Sequence, residues 1–322
     1  MKIIGAALSV LIVTGAALCI FVPPEGVAVA VPFDEAVIGA DPDAYLATSE
    51  ARFPDITPDT QKRIIWAGAK GAKTPIALIY LHGFSATSQE IRPVPDRVAA
   101  ALGANLFYTR LAGHGRGSQP LAEATAGDWI NDLHEAVAIG ARIGARVVIL
   151  STSTGGTLAA IAATDPTMSA KLAGIVFVSP NFGLKPLAGK LLDLPFARIW
   201  GPWLVGATVG APSDNPVVAR FWTTSYPTVA LFPMAALIRL AQAQDYGHAT
   251  TPALFIFSEA DQIVSPAKTK AVIATWTGPH AVEVITPGPG DDPYSHVIAG
   301  DALSPGHTGP VTERIVDWVR GL

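Results

Sequence analysis

Chemistry in this chain would begin at a serine held in a strained turn. Val147-Val148-Ile149-Leu150 is an apolar run that leads into Ser151-Thr152-Ser153-Thr154-Gly155-Gly156. A buried strand that ends in a small-residue turn and restarts as a helix is the setting of a nucleophile elbow. The turn crowds the backbone, so the residues two before and two after the nucleophile must be small. Gly155 meets this requirement for Ser153, and Ser151 stands where glycine is usual. Taking Ser151 as the nucleophile would put bulky Ile149 in the crowded position. The helix that follows points its amino end at Ser153, where its dipole favours a developing oxyanion. The competing reading is a Ser/Thr/Gly-rich strand-to-helix turn without chemistry. A second motif, His82-Gly83-Phe84, follows the apolar run Pro75 to Leu81. The main-chain N–H groups of Phe84 and Thr154 are candidates for a two-donor oxyanion hole. His82 itself is read as structural rather than as a base.

The elements that must position these groups alternate. Strands are expected at Gln61 to Ala67, Pro75 to Leu81, Asn105 to Arg110, Arg146 to Leu150, Gly174 to Val178, Ala253 to Phe257 and Val282 to Ile285. Helical spacing is expected at Asp96 to Leu102, Ala126 to Ile143, Thr157 to Ala163 and Val311 to Val319. Short, continuously apolar strands interleaved with helices indicate an α/β fold, a mostly parallel central sheet with helices on both faces. Reactive groups on such a sheet gather at the carboxyl ends of its strands. The stretch 181–251 is too long for an ordinary crossover and is rich in aromatic residues, among them Trp200, Trp203, Trp222 and Tyr226. It is read as an inserted helical cap, with an extra helical layer as the plainer choice.

Composition narrows the function classes. Of 322 residues, 50% are hydrophobic and 15% charged, enough apolar material for a large core; the net charge of -4 and the lack of a basic run argue against nucleic acid. The single cysteine, Cys19, excludes a disulfide framework. No histidine pair has metal-ligand spacing, and Gly113 to Gly117 lacks a Walker lysine, so neither a metal nor a cofactor is expected. Lys2 precedes an uncharged apolar run from Ile3 to Val22. Residues 1–30 are read either as a signal peptide cut after Ala28-Val29-Ala30 or as a retained membrane anchor, with membrane association through residues 3–22. Both place the remainder of the chain outside the cytoplasm. Residues 31–60 are read as a linker with one short helix near Pro42 to Arg52, and 61–322 as the globular domain.

Four pieces together resemble the monoacylglycerol-lipase and bacterial carboxylesterase branch of the α/β-hydrolases, a group often placed with serine aminopeptidases. They are His82-Gly83-Phe84, Gly113-His114-Gly115, Asp128-Trp129 and the Ser153 elbow. The resemblance covers about Ile64 to the C-terminus. It implies that a catalytic acid follows a late strand and a catalytic base follows the last one. Asp261 after Phe255 to Phe257 then stands as the acid, with Glu259 as its rival and Asp291 and Asp292 as lesser ones. His296 after the loop Pro287 to Pro293 stands as the base, with His307 as its rival. The order Ser, Asp, His is that of α/β-hydrolases. His114 and His134 are read as structural. The expected activity is hydrolysis of a small acyl ester, of short to medium chain or a monoacylglycerol. A peptidase or thioesterase on the same residues, or a non-catalytic binding protein on this fold, are the other classes.

Overall fold

Alternation within single strands explains how the sheet is built. The computed structural model describes residues 24–185 and 187–322. In β2 (Thr74–Leu81), Ala77, Ile79 and Leu81 enter one apolar cluster, while Leu78 and Tyr80 enter another. Successive side chains of a strand point to opposite faces, so a continuously apolar strand must be covered on both.

The elements follow in order. The helix α1 (Pro42–Glu50) and the strand β1 (Arg63–Ile65) precede β2; α2 (Val94–Leu102), β3 (Asn105–Tyr108), α3 (Ser118–Glu123) and α4 (Ala126–Ile143) follow it. Then come β4 (Gly144–Thr152), α5 (Thr154–Thr164), α6 (Pro166–Ser169) and β5 (Leu172–Val178). The cap contains α7 (Ala197–Val205), β6 (Thr208–Gly210), α8 (Pro216–Phe221), β7 (Ser225–Pro227) and α9 (Leu231–Gln242). The chain closes with β8 (Ala253–Phe257), α10 (Pro266–Thr275), β9 (His280–Val284) and α11 (Pro305–Arg320).

The seven-stranded sheet has the order β1-β3-β2-β4-β5-β8-β9, and every pairing except β1 with β3 is parallel. One face carries α4, α5 and α9 through Trp129, Leu133, Leu158 and Leu237. The other carries α2 and α11 through Val94, Val98, Val311 and Ile315. This is the α/β architecture expected from the alternation of strands and helices.

Several elements differ from the sequence expectation. The first strand shrinks to three residues because it pairs only along the sheet edge. The last helix starts at Pro305 rather than Val311, its first turn tolerating Gly306 because the packing residues come later. Residues 31–60 are not a free linker. Ile38 and Leu46 are buried in the core, and Glu50 forms a two-point ion pair with Arg110 (2.7 and 2.8 Å). The segment covers apolar surface and neutralises a buried guanidinium, so it belongs to the folded body.

Residues 24–30 also lie on the body. Val27 and Val29 pack on the core. Glu25 pairs with Arg198 of α7 (2.7 Å), and its carbonyl accepts from Arg239 of α9. From there the chain runs past α4 to Glu35, which pairs with Lys171 just before β5 (2.5 Å). No helix among the described residues is long and apolar enough to cross a membrane. The run 3–22, read as a span or signal core, lies outside the described residues.

Candidate active site

Ser153 sits at the junction of β4 and α5 with φ 51° and ψ -115°. A positive φ in a non-glycine residue is strained and persists only where the surroundings impose it. Here the Ser153 N–H donates to the Val178 carbonyl (3.1 Å), and the Ser153 carbonyl accepts from Gly156, Thr157 and Asn181 (2.9, 3.2 and 2.9 Å). Gly155 is needed because a Cβ there would run into the Leu81 carbonyl oxygen. Ser151, in the usual glycine position, is accommodated because its hydroxyl donates to the Val176 carbonyl on the neighbouring strand (2.9 Å).

The three side chains singled out by sequence meet. Ser153 Oγ lies 3.0 Å from His296 Nε2, and His296 Nδ1 lies 2.7 Å from Asp261 Oδ2. An ionised carboxylate only accepts, so Nδ1 carries the proton toward Asp261 and Nε2 is left to accept from the serine hydroxyl. All three are buried. Asp261 Oδ1 is held by the N–H groups of Ile263 and Val264 (2.8 and 2.9 Å). Burial alone would push the His296 pKa down. The hydrogen bond and charge of Asp261, with the charges of Glu90 and Asp292, overcome that and raise it above its ordinary value.

The rivals are engaged elsewhere. Glu259 is exposed and pairs with Lys270 (3.0 Å). His307 lies in the first turn of α11 and pairs with Asp291 (3.2 Å). Asp292 turns away from the imidazole, and its carboxylate accepts from the N–H groups of His296 and Val297 (3.0 and 2.8 Å), fixing the loop that carries His296. His82 is tied to the backbone at both ring nitrogens, through the Gly83 carbonyl (2.9 Å) and the Leu111 N–H (3.1 Å). Burial lowers its pKa to about 4, so it is a neutral strut. His114 is buried beside Phe84 and Trp129, with its pKa also lowered by burial.

The Gly83-Phe84 turn lies against the nucleophile, since a Cβ on Gly83 would come within 3.1 Å of Ser153 Cβ. Among the described residues the N–H groups of Phe84 and Thr154 have no protein acceptor, which leaves both free for a ligand oxygen.

Sequence reasoning missed Glu90. It follows the turn by a few residues and carries no motif of its own. In the fold its Oε2 accepts from the Gly83 N–H (2.7 Å) and from Tyr80 Oη (3.1 Å). It is buried yet lines the cavity above Ser153. Desolvation raises its pKa to about 7.

That cavity has a volume of about 760 Å³ and is roofed by the cap through Leu184, Val218, Trp222, Tyr226, Leu231 and Met234. A second cavity of about 250 Å³, lined almost wholly by apolar side chains, lies under α7. Leu184 and Leu231 line both.

Comparison with known proteins agrees with this architecture. Residues 73–285 match the family model described as "Serine aminopeptidase, S33". A thermostable monoacylglycerol lipase of Bacillus sp. (strain H-257) is 25% identical over 195 residues, covering 60% of this chain and 73% of the lipase. Among solved structures, that of the metagenome-derived lipolytic enzymes LipS and LipT aligns with TM-score 0.65 and 18% identity, over 83% of this chain and 100% of that one. The monoacylglycerol lipase of Paleococcus ferrophilus aligns with TM-score 0.58 and 14% identity, over 80% and 97%. At these identities the structural matches speak for the fold, and the family match covers most of the sheet together with the cap. The chain belongs to the serine aminopeptidase S33 family, as an α/β-hydrolase of the monoacylglycerol-lipase-like branch.

Proposed function

We propose that this protein is a serine hydrolase that cleaves carboxylic esters of short to medium acyl chain, monoacylglycerols among them, through an acyl-enzyme. The observation that carries the reading is the continuous hydrogen-bonded relay from Ser153 through His296 to Asp261 beneath an apolar roof.

A serine hydroxyl is a weak nucleophile until a base takes its proton. Neutral His296 takes it as Ser153 Oγ attacks the ester carbonyl carbon. The carbonyl oxygen becomes an oxyanion facing the N–H groups of Phe84 and Thr154. Collapse expels the alcohol, which leaves with the proton from the imidazolium. Water then repeats the sequence on the acyl-serine and releases the acid. Asp261 holds the tautomer and stabilises the imidazolium between the two proton transfers. The same relay would also cleave a thioester or a peptide. The almost wholly apolar cavity adjoining the site favours an acyl chain.

Labelling of the full chain by a fluorophosphonate, and turnover of p-nitrophenyl esters, test this. Ser153→Ala is expected to abolish labelling and to lower kcat/KM by at least ~10³-fold. Equal activity in both proteins would remove Ser153 from the mechanism. Faster cleavage of aminoacyl arylamides than of esters would assign the site to peptides. The apolar run 3–22 and the single lysine before it support an exported enzyme.

A further inference from the structure

The two candidate oxyanion donors belong to different parts of the sheet edge. The Thr154 N–H opens α5 after β4, and the Phe84 N–H lies in the turn after β2. β2 and β4 run side by side as far as Leu81 and Ser151, where their ladder ends. Beyond it, no main-chain hydrogen bond among the described residues joins residues 83–86 to residues 152–156. What crosses the gap is a chain of side chains. Glu90 Oε2 accepts from the Gly83 N–H (2.7 Å) and from Tyr80 Oη (3.1 Å). The Tyr80 hydroxyl hydrogen is thereby used, so Thr152 Oγ1 donates to Tyr80 Oη (3.1 Å). Tyr80 and Thr152 are fully buried, and Glu90 is 3% exposed. Among the described residues Glu90 pairs with no lysine or arginine, and the one cation that acts on it is the His296 imidazolium. A carboxyl group buried without a paired cation costs stability, so its presence at a cavity points to function rather than to packing.

Gly83 explains why the turn has to be held from outside. Its φ is not positive, so glycine is there for space: a Cβ would lie 2.5 Å from Glu90 Oε1 and 3.1 Å from Ser153 Cβ. Glycine is also the residue least able to fix its own backbone. The peptide between Gly83 and Phe84 carries the oxyanion donor. Its carbonyl accepts from Ala86 N–H (3.3 Å) and from His82 Nδ1 (2.9 Å), which carries the proton because Nε2 accepts from the Leu111 N–H. In a trans peptide the C=O and N–H point opposite ways, so these bonds aim the Phe84 N–H. Glu90 holds the peptide on the other side of Gly83, between His82 and Gly83. With both peptides held, the glycine loses its freedom.

We propose that Glu90 is a positioning residue for the oxyanion hole: through Tyr80 and Thr152 its carboxyl group braces the Gly83-Phe84 turn against the Ser153 elbow and sets the spacing of the Phe84 and Thr154 N–H groups. Two donors stabilise an oxyanion fully only when both are aimed before the reaction begins. Glu90 acts here through the turn and not on the substrate. The kinetic consequence rests on the proposed ester chemistry; the brace itself does not.

The test compares three variants of the full chain. Glu90→Leu removes the acceptor, Glu90→Gln keeps a side-chain oxygen for Gly83 and Tyr80, and Tyr80→Phe cuts only the link to Thr152. Glu90→Leu is expected to lower kcat on a p-nitrophenyl ester by about 10²-fold with KM within about twofold, the signature of a misplaced oxyanion donor. Tyr80→Phe should cost roughly fivefold, and Glu90→Gln should stay within about fivefold of wild type at a pH above the His296 limb. An alkyl trifluoromethyl ketone gives a second readout. Ser153 Oγ adds to its carbonyl carbon, the Oγ proton passes to His296, and the carbonyl electron pair becomes an oxyanion in the hole. Its inhibition constant should rise across the variants by the factor that kcat falls, which a general loosening of the fold would not produce. A Glu90→Leu protein within twofold of wild type overturns the proposal. So does a rise in KM with kcat unchanged, which would place Glu90 in substrate binding. Glu90→Gln as slow as Glu90→Leu would mean that charge matters and the hydrogen-bonded brace does not. A third readout needs no turnover. In ¹⁵N-labelled protein the Gly83 amide proton should resonate downfield in wild type and Glu90→Gln and move upfield in Glu90→Leu. An unmoved Gly83 resonance overturns the brace whether or not the protein hydrolyses esters. Wild-type protein that shows these shifts but neither turns over esters nor binds the ketone supports the brace and overturns the ester reading alone.

Discussion

At the scale of single residues, the site depends on backbone placement as much as on side-chain chemistry. Gly155 shows this directly, because its Cα faces the carbonyl oxygens of Leu81 and His82 with no room for a methyl group. Gly155→Ala is expected to cost about 3 kcal/mol or more in urea unfolding and to reduce activity, since the neighbour that must yield is main chain rather than a flexible side chain. Ionisation adds a second expectation. His296 must be neutral to act as base, and its pKa is raised above 6.5, so kcat/KM should climb with pH through a midpoint above that value. Glu90 supports the imidazolium by its charge, so Glu90→Gln should move this limb to lower pH. Glu90 also links stability to pH. Its folded pKa is raised from 4.5 to about 7, so the folded state holds the extra proton between those values. Its stabilising contribution is present below about 4.5 and lost as pH rises through about 7. Urea titrations of the two proteins should therefore diverge in slope over that window, by a total on the order of 3 kcal/mol. Parallel curves would show that Glu90 does not titrate there. None of this about Glu90 is legible in the sequence. A glutamate in a turn reads as solvated, and only its bonds to the Gly83 N–H and Tyr80 place it under the active site.

At the scale of elements, the strands were readable because burial on both faces leaves a continuous apolar run, as in β2, β4, β5 and β8. The short helices α3, α6 and α10 were not, because too few of their positions face the core to create a period. The proline and aspartate content of the segment before β1 reads as a linker. Its attachment depends on partners far along the chain. Glu50 of α1 meets Arg110, and Lys62 bridges Asp132 and Glu135 of α4. Burial alone would raise the Glu50 pKa, yet the hydrogen bond and charge of Arg110 bring it below its ordinary value. Removing one partner of such a pair leaves the other charged and buried. Glu50→Ala is expected to destabilise the protein by about 3–5 kcal/mol in chemical unfolding. A change under about 1 kcal/mol would show that the pair behaves as an exposed one.

At the scale of the whole molecule, the cap decides what reaches the relay. Leu231 stands where the cavity above Ser153 meets the apolar cavity under α7. Leu231→Trp should fill that junction, so that kcat/KM for long acyl p-nitrophenyl esters falls by roughly tenfold or more while p-nitrophenyl acetate is hydrolysed nearly as before. Equal loss on both would mean that the acyl chain lies elsewhere. Through a family resemblance the sequence nominated Asp261 and His296, with rivals for each; by itself it determined the alternation of strands and helices and the elbow at Ser153. These are legible because strand burial and the crowding of a tight turn restrict residue type at short spacing. Only the tertiary structure decided which acid faces His296, what Glu90 and Asp292 hold, that residues 24–60 belong to the body, and that one face of α7 is left bare. Glu90 and Asp292 hold groups within ten residues of themselves, but the site they serve, like the contact of Glu25 with Arg198, joins residues more than a hundred apart, such as Ser153 and His296. Local spacing cannot encode such contacts; they arise when parallel strands bring their carboxyl ends to one edge and the cap closes over it.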